Sequence, residues 1–157
     1  MTIPKHIIAH EIGHILVAMN YGFNILSVDI VSSKPNCGIH FNSFHTSSKE
    51  LANGIYNCSN IEFITNLCVV MTSGDICEEL DRVDFDPLKF TGINSTTDDE
   101  IVQNIIDHYQ LDHQDVVNQS ATILCGYKNL LITHIEMSYL SGEVSQFQLR
   151  NIAASMG

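Results

Sequence analysis

His10 and His14 stand four residues apart with Glu11 beside the first, a spacing that has a chemical use only on an α-helix. There, positions i and i+4 share a face about 6 Å apart, so both imidazoles can aim a nitrogen at one metal ion. Glu11 is placed to take a proton from a water on that metal. This is the HExxH arrangement, in which zinc lowers the pKa of its water towards neutrality and the glutamate serves as general base. The neighbours agree with a helix: Pro4 suits a first turn, Gly22 is a stop signal, and Ile8, Ile12, Ile15 and Met19 recur at helical spacing. At about 100° per residue that stripe lies nearly opposite the two histidines, which predicts one face in a core and the other offered to a metal. His6 extends the ladder, but it sits about 12 Å along the axis from His14 while a Zn–N bond is about 2.1 Å. An unbroken helix therefore cannot use all three, and a third ligand has to come from elsewhere.

With 157 residues, 45% of them hydrophobic, the chain predicts one domain, 1–157, with enough apolar content for a core. No run of about 18 apolar residues predicts a membrane span, and the N-terminus does not have the pattern of a signal peptide. The five cysteines are odd in number and contain no C-x-x-C pair, so they are expected to be reduced and mostly core-filling in a cytoplasmic protein. A formal charge of −11 without a Lys/Arg cluster argues against nucleic acid and anionic membrane surfaces as partners.

Beyond the first helix the period changes. Val28 to Val31 and Cys37 to Phe41, separated by Lys34-Pro35-Asn36, predict two short strands joined by a turn. Ser43 to Tyr56 reads as an exposed loop. Ser59-x-x-Glu62 is a capping box opening a helix with the stripe Ile64, Leu67, Cys68 and Met71, and with Gly74, Asp75, Glu78 and Glu79 towards its far end. Asp81 to Thr96 reads as a loop, and Thr97-x-x-Glu100 as a second capping box. Past Leu111 a long helix is expected up to Ser141-Gly142, followed by a short one around Phe147, Leu149 and Ile152. The expected fold class is mainly α with a small β element (α+β).

Taken together, these pieces resemble the peptidase domain of the FtsH-type zinc metalloproteases, the membrane-anchored AAA proteases. The likeness is carried by His10-Glu11-Ile12-Gly13-His14 with its apolar continuation, by the strand pair from Val28 to Phe41, and by Gly74 to Leu80, which is similar to the family's Gly-rich, Ala-Glu-Glu helix end. Gly92 to Asp99 loosely matches the segment before the family's third-ligand helix, and Tyr139 to Glu143 its C-terminal turn. The resemblance implies an HExxH zincin-like, FtsH-type fold holding zinc on His10, His14 and an aspartate of the later helix, with Glu11 as base. With Thr97 as N-cap, Asp98 would be the first helical residue, where the dipole favours a carboxylate. Family helices carry small or apolar residues four, seven and eight positions after the ligand. From Asp98 these are Val102, Ile105 and Ile106, whereas from Asp99 they are Gln103, Ile106 and Asp107. Asp98 is thus the expected third ligand, with Asp99 and Glu79 as alternatives.

The family's membrane segments and ATPase module are missing, and no Gly-x-x-x-x-Gly-Lys-Ser/Thr sequence occurs. The expectation is an ATP-independent zinc endopeptidase acting on flexible or unfolded protein and peptide substrates, with a homo-oligomer or a separate unfolding partner left open. The alternative is a catalytically silent, metal-binding interaction module that retains the fold. Asp75, Glu78 and Glu79 read equally as metal ligands or partners fixing a ligating imidazole, or as a solvated helix end. His40, His45, His108, His113 and His134 have no metal spacing to one another and read as structural. No Gly-x-Ser-x-Gly supports serine hydrolysis, and no pairing singles out a cysteine nucleophile.

Overall fold

Pro4 has a fixed φ and no N–H to lose, and in the computed structural model it caps the first helix, its carbonyl accepting from Ile7 and Ile8. The structure describes residues 3–29, 36–40, 56, 58–92 and 97–156. Helix α1 runs Lys5–Asn20 and ends in a Schellman turn: Phe23 N–H donates to Ala18 O, Gly22 N–H donates to Met19 O, and Gly22 takes φ +82°. The chain then enters an antiparallel hairpin of β1, Asn24–Asp29, and β2, Asn36–His40, with a bulge between Ile25 and Ser27. The expected strand pair is present, and β1 begins earlier than the β-branched run alone suggested. The turn at 30–35, and His45 with most of the loop expected at 43–56, lie outside the described residues.

Helix α2, Ile61–Arg82, is the longest element among the described residues. Its cap is Asn60, whose side chain accepts from Phe63 N–H at 3.1 Å, and not the expected Ser59. Asparagine caps as well as serine does, and the N3 amide lies three residues from Asn60. A turn at 83–85 and a 3-10 turn at Pro87–Lys89 occupy part of the stretch read as loop. Helix α3 spans Thr97–Tyr109. Thr97 is therefore the first helical residue and not the cap, and Asp98 is the second; the side chains of residues 97–99 lie outside the described set.

The single long helix expected beyond Leu111 is two: α4, His113–Gly126, and α5, Lys128–Ser141, with Tyr127 out of helical geometry between them. Gly126 lowers helix propensity there by about 1 kcal/mol, and the break lets α4 pack mainly on α2 while α5 packs mainly on α1. Gly142, at φ +78°, closes α5 before α6, Gln146–Met156. Leu149 and Ile152 of α6 are buried as expected, whereas Phe147 is 69% exposed.

The described chain is thus mostly helical, with six α-helices and one hairpin. Its centre is the pair α1 and α2, which run in opposite directions: His14 meets Val70, while the earlier His10 meets the later Glu78. A Cβ on Gly13 would come within 2.5 Å of Cys77 Cβ and 2.7 Å of Ser73 O, so glycine is what lets the two backbones approach. The expected two-faced α1 is instead buried at every position from Ile8 to Ala18 except His10, because α2, α5 and the hairpin all pack on it. The histidine face is consequently largely covered by α2 and reaches solvent at His10, whose side chain is 16% exposed.

Candidate metal centre

One turn of α1 separates His10 from His14, and their Nε2 atoms converge to 3.0 Å. What brings them together is the anchoring of the other nitrogen of each ring. His14 Nδ1 donates to the backbone carbonyl of Val70 at 2.7 Å. Because a carbonyl only accepts, that proton is on Nδ1, and the Nε2 of a neutral His14 presents a lone pair. His10 Nδ1 lies 3.0 Å from Glu78 Oε1 and 3.3 Å from Asp75 Oδ1, acceptors that impose the same tautomer. Two imidazole lone pairs so oriented repel unless a cation stands between them or one ring carries a second proton and donates to the other. Two nitrogens on a tetrahedral zinc, with bonds of about 2.1 Å, are separated by roughly 3.4 Å, so the rings need to part by about 0.4 Å from the 3.0 Å seen here to hold one.

The wall facing this point is built from the absence of a side chain. A Cβ on Gly74 would lie 2.4 Å from His14 Nε2 and 2.6 Å from His10 Nε2, so the glycine keeps clear the space into which both nitrogens point. Glu11, only 4% exposed, turns a carboxylate oxygen, Oε2, into the interior without a hydrogen-bond partner among the described residues. A buried carboxylate oxygen left in that state costs on the order of 1–3 kcal/mol or more, an expense that a water or a cation beside it would offset. Glu11 and Glu79 also make no ion pair among the described residues. The donor set therefore fits a divalent metal at the paired Nε2 atoms, and nitrogen-rich ligation suits zinc.

Another position beside His10 has metal-compatible groups. His10, Asp75 and Glu78 each bring a ligand atom within 4.8 Å of the others. Their separations from Nδ1 are hydrogen-bond distances, and a metal there would need the Nδ1 proton removed. We therefore assign these carboxylates to orienting the ring, the role in which a carboxylate–histidine pair raises ligand basicity. Of the two readings of the acidic group, the solvated helix end does not hold: Asp75 and Glu79 are buried, and Glu78 is partly so. Glu79 does not join the histidine pair. Its Oε1 accepts from the N–H of Thr91 at 2.7 Å and from the Thr91 hydroxyl.

His6 is exposed near the start of an unbroken α1, consistent with its exclusion as a ligand. His108 meets the Tyr56 carbonyl at 2.7 Å, His113 is exposed on α4, and His134 is buried far along α5. Thiol chemistry is disfavoured at Cys68 and Cys77, since burial pushes the first up to about 12 and the second well above the ordinary thiol range. Sequence reasoning missed the clearing made by Gly74 and the Val70 acceptor. The first had a signal, a glycine inside an otherwise helical pattern; a backbone carbonyl has none. The chain matches no protein-family model, no curated protein and no solved structure.

Proposed function

We propose that the chain is a zinc-dependent endopeptidase with an HExxH zincin-like, FtsH-type peptidase fold, in which His10, His14 and Asp98 hold zinc and Glu11 is the general base. The observation that carries the reading is the convergence of two Nε2 atoms over Gly74, each fixed by an acceptor on its own Nδ1. Zinc supplies, when bound, the Lewis acidity that acidifies a water and polarises a peptide carbonyl.

The protein residues do the rest. Val70 O holds His14, and Asp75 with Glu78 holds His10, so that neither ring must reorganise when charge develops. Glu11 Oε2, buried and unpartnered, takes the proton of the attacking water and returns it to the leaving amine. The substrates proposed for this chain are extended or unfolded stretches of protein, cut without ATP, because a peptide must lie in extended form to present its carbonyl to the metal and its water. No described helix is long and apolar enough to cross a membrane.

The deciding experiment combines metal analysis with proteolysis of an unstructured substrate. One zinc per chain with cleavage that chelation stops supports the proposal. One zinc without cleavage points to the silent metal-binding module, and no zinc in the freshly purified protein or after reconstitution overturns both.

A further inference from the structure

Among the described residues Glu79 makes no ion pair and leaves one buried oxygen, Oε2, unpartnered, yet its other oxygen collects two donors from one residue, Thr91. The carboxylate is only 5% exposed, whereas Thr91 lies at the surface. A lone buried carboxylate is costly to desolvate, and the two charge-assisted hydrogen bonds offset part of that cost. What these bonds hold is Thr91 against α2. Thr91 is followed by Gly92 at φ +71°, a turn that only glycine makes easily, and the same connection leads into α3 with Asp98 in its first turn. One helical turn before Glu79, on the same side of α2, Asp75 reaches His10 Nδ1 at 3.3 Å.

We infer that Glu79 is a positioning residue: it ties Thr91 to the helix that orients His10, and so sets where the third-ligand helix begins relative to the histidine pair. The inference rests on the zinc reading for its functional consequence but not for its structural one. It also gives Glu79 a role other than the ligand role weighed from sequence. A strut needs an acceptor oxygen, which glutamine keeps and alanine removes; a ligand needs the carboxylate, which both remove.

The test compares Glu79→Ala, Glu79→Gln and Thr91→Val, all confirmed as folded by circular dichroism. Zinc affinity is read by competition with a chromophoric chelator, and exchange of the Thr91 and 97–100 amides is followed by NMR on metal-free protein. The expected result is a 10–100-fold loss of zinc affinity in Glu79→Ala, the scale for outer-shell residues, with Glu79→Gln within about threefold of wild type. Thr91→Val, which keeps its N–H, should fall between them, and adding it to Glu79→Ala should cost nothing more. Equal losses in the Gln and Ala variants make Glu79 a ligand and overturn the inference. Unchanged affinity in Glu79→Ala with only a lower melting temperature reduces it to packing and also overturns it. If wild type binds no zinc, the peptidase reading falls, and amide exchange still decides the strut: faster exchange at Thr91 and 97–100 in Glu79→Ala, restored in Glu79→Gln, upholds it, and unchanged exchange refutes it.

Discussion

Gly74 lies so close to His14 that a β-carbon on it would stand 2.4 Å from the Nε2 atom. His10 Nε2 would be 2.6 Å away. Contacts this short cannot exist, so a methyl group at this position must displace both rings from the point they share. Gly74→Ala should therefore abolish stoichiometric zinc binding. Alanine is the better helix former by about 1 kcal/mol, so α2 itself gains locally while the rings are pushed off their acceptors. Metal content by mass spectrometry alongside circular dichroism separates the outcomes: a folded protein without zinc is expected, and a folded Gly74→Ala variant with one zinc per chain would remove the metal from this location.

Glu11→Gln keeps the shape of the side chain and deletes its basicity. Zinc should stay at about one per chain while hydrolysis of an unstructured substrate falls by at least ~10²-fold, the contribution of a positioned general base. The comparison with His10→Ala/His14→Ala is informative because that double variant should lose both zinc and activity. Wild-type rates in Glu11→Gln would assign the base elsewhere.

The parts of this molecule legible in the sequence are those set by local rules. The i, i+4 histidines, the Gly22 stop, the hairpin after it and the closing helix with Leu149 and Ile152 all follow from periodicity and turn chemistry over a few residues. The caps expected at Ser59 and Thr97 miss by one residue, and the larger errors occur where a distant partner decides. Gly126 weakens the helix but does not by itself require a break; what decides it is that α4 and α5 pack on different helices. Likewise the apolar stripe of α1 gave a one-sided burial, because Gly13 as a contact point for α2 is invisible until Cys77 and Ser73 are known to face it. The candidate site divides in the same way. His10, Glu11 and His14 are a local pattern, whereas Val70, Gly74, Asp75 and Glu78 become meaningful only once α2 lies antiparallel against α1.

Asp98 and Asp99 occupy adjacent positions in the first turn of α3, and the first of them is the one proposed as third ligand. Val102, Ile105 and Ile106 are buried, whereas Gln103 and Asp107 are exposed. The buried side of α3 is therefore the one found four, seven and eight residues after Asp98. Single alanine variants should show zinc affinity reduced at least ~10-fold in Asp98→Ala and little changed in Asp99→Ala, the loss of one of three protein ligands being the larger effect. The reverse order would transfer the ligand role to Asp99.

His134 gives the fold a pH dependence separate from the metal. It is buried on α5, its Nδ1 has no hydrogen-bond partner among the described residues, and desolvation lowers its pKa from the ordinary value of 6.5. The unfolded chain therefore takes up a proton at this position before the folded one does. Stability from this group is fully present above about pH 6.5 and is lost as pH falls through the unfolded pKa towards the depressed folded one. His134→Phe keeps an aromatic ring and removes the titration. Melting temperatures should be compared between pH 8 and pH 5 in the presence of chelator, so that proton competition for zinc at His10 and His14 does not contribute. Wild type is expected to lose more stability than His134→Phe below about pH 6.5, with the two curves parallel above it; parallel curves over the whole range would show that His134 does not titrate differently on folding.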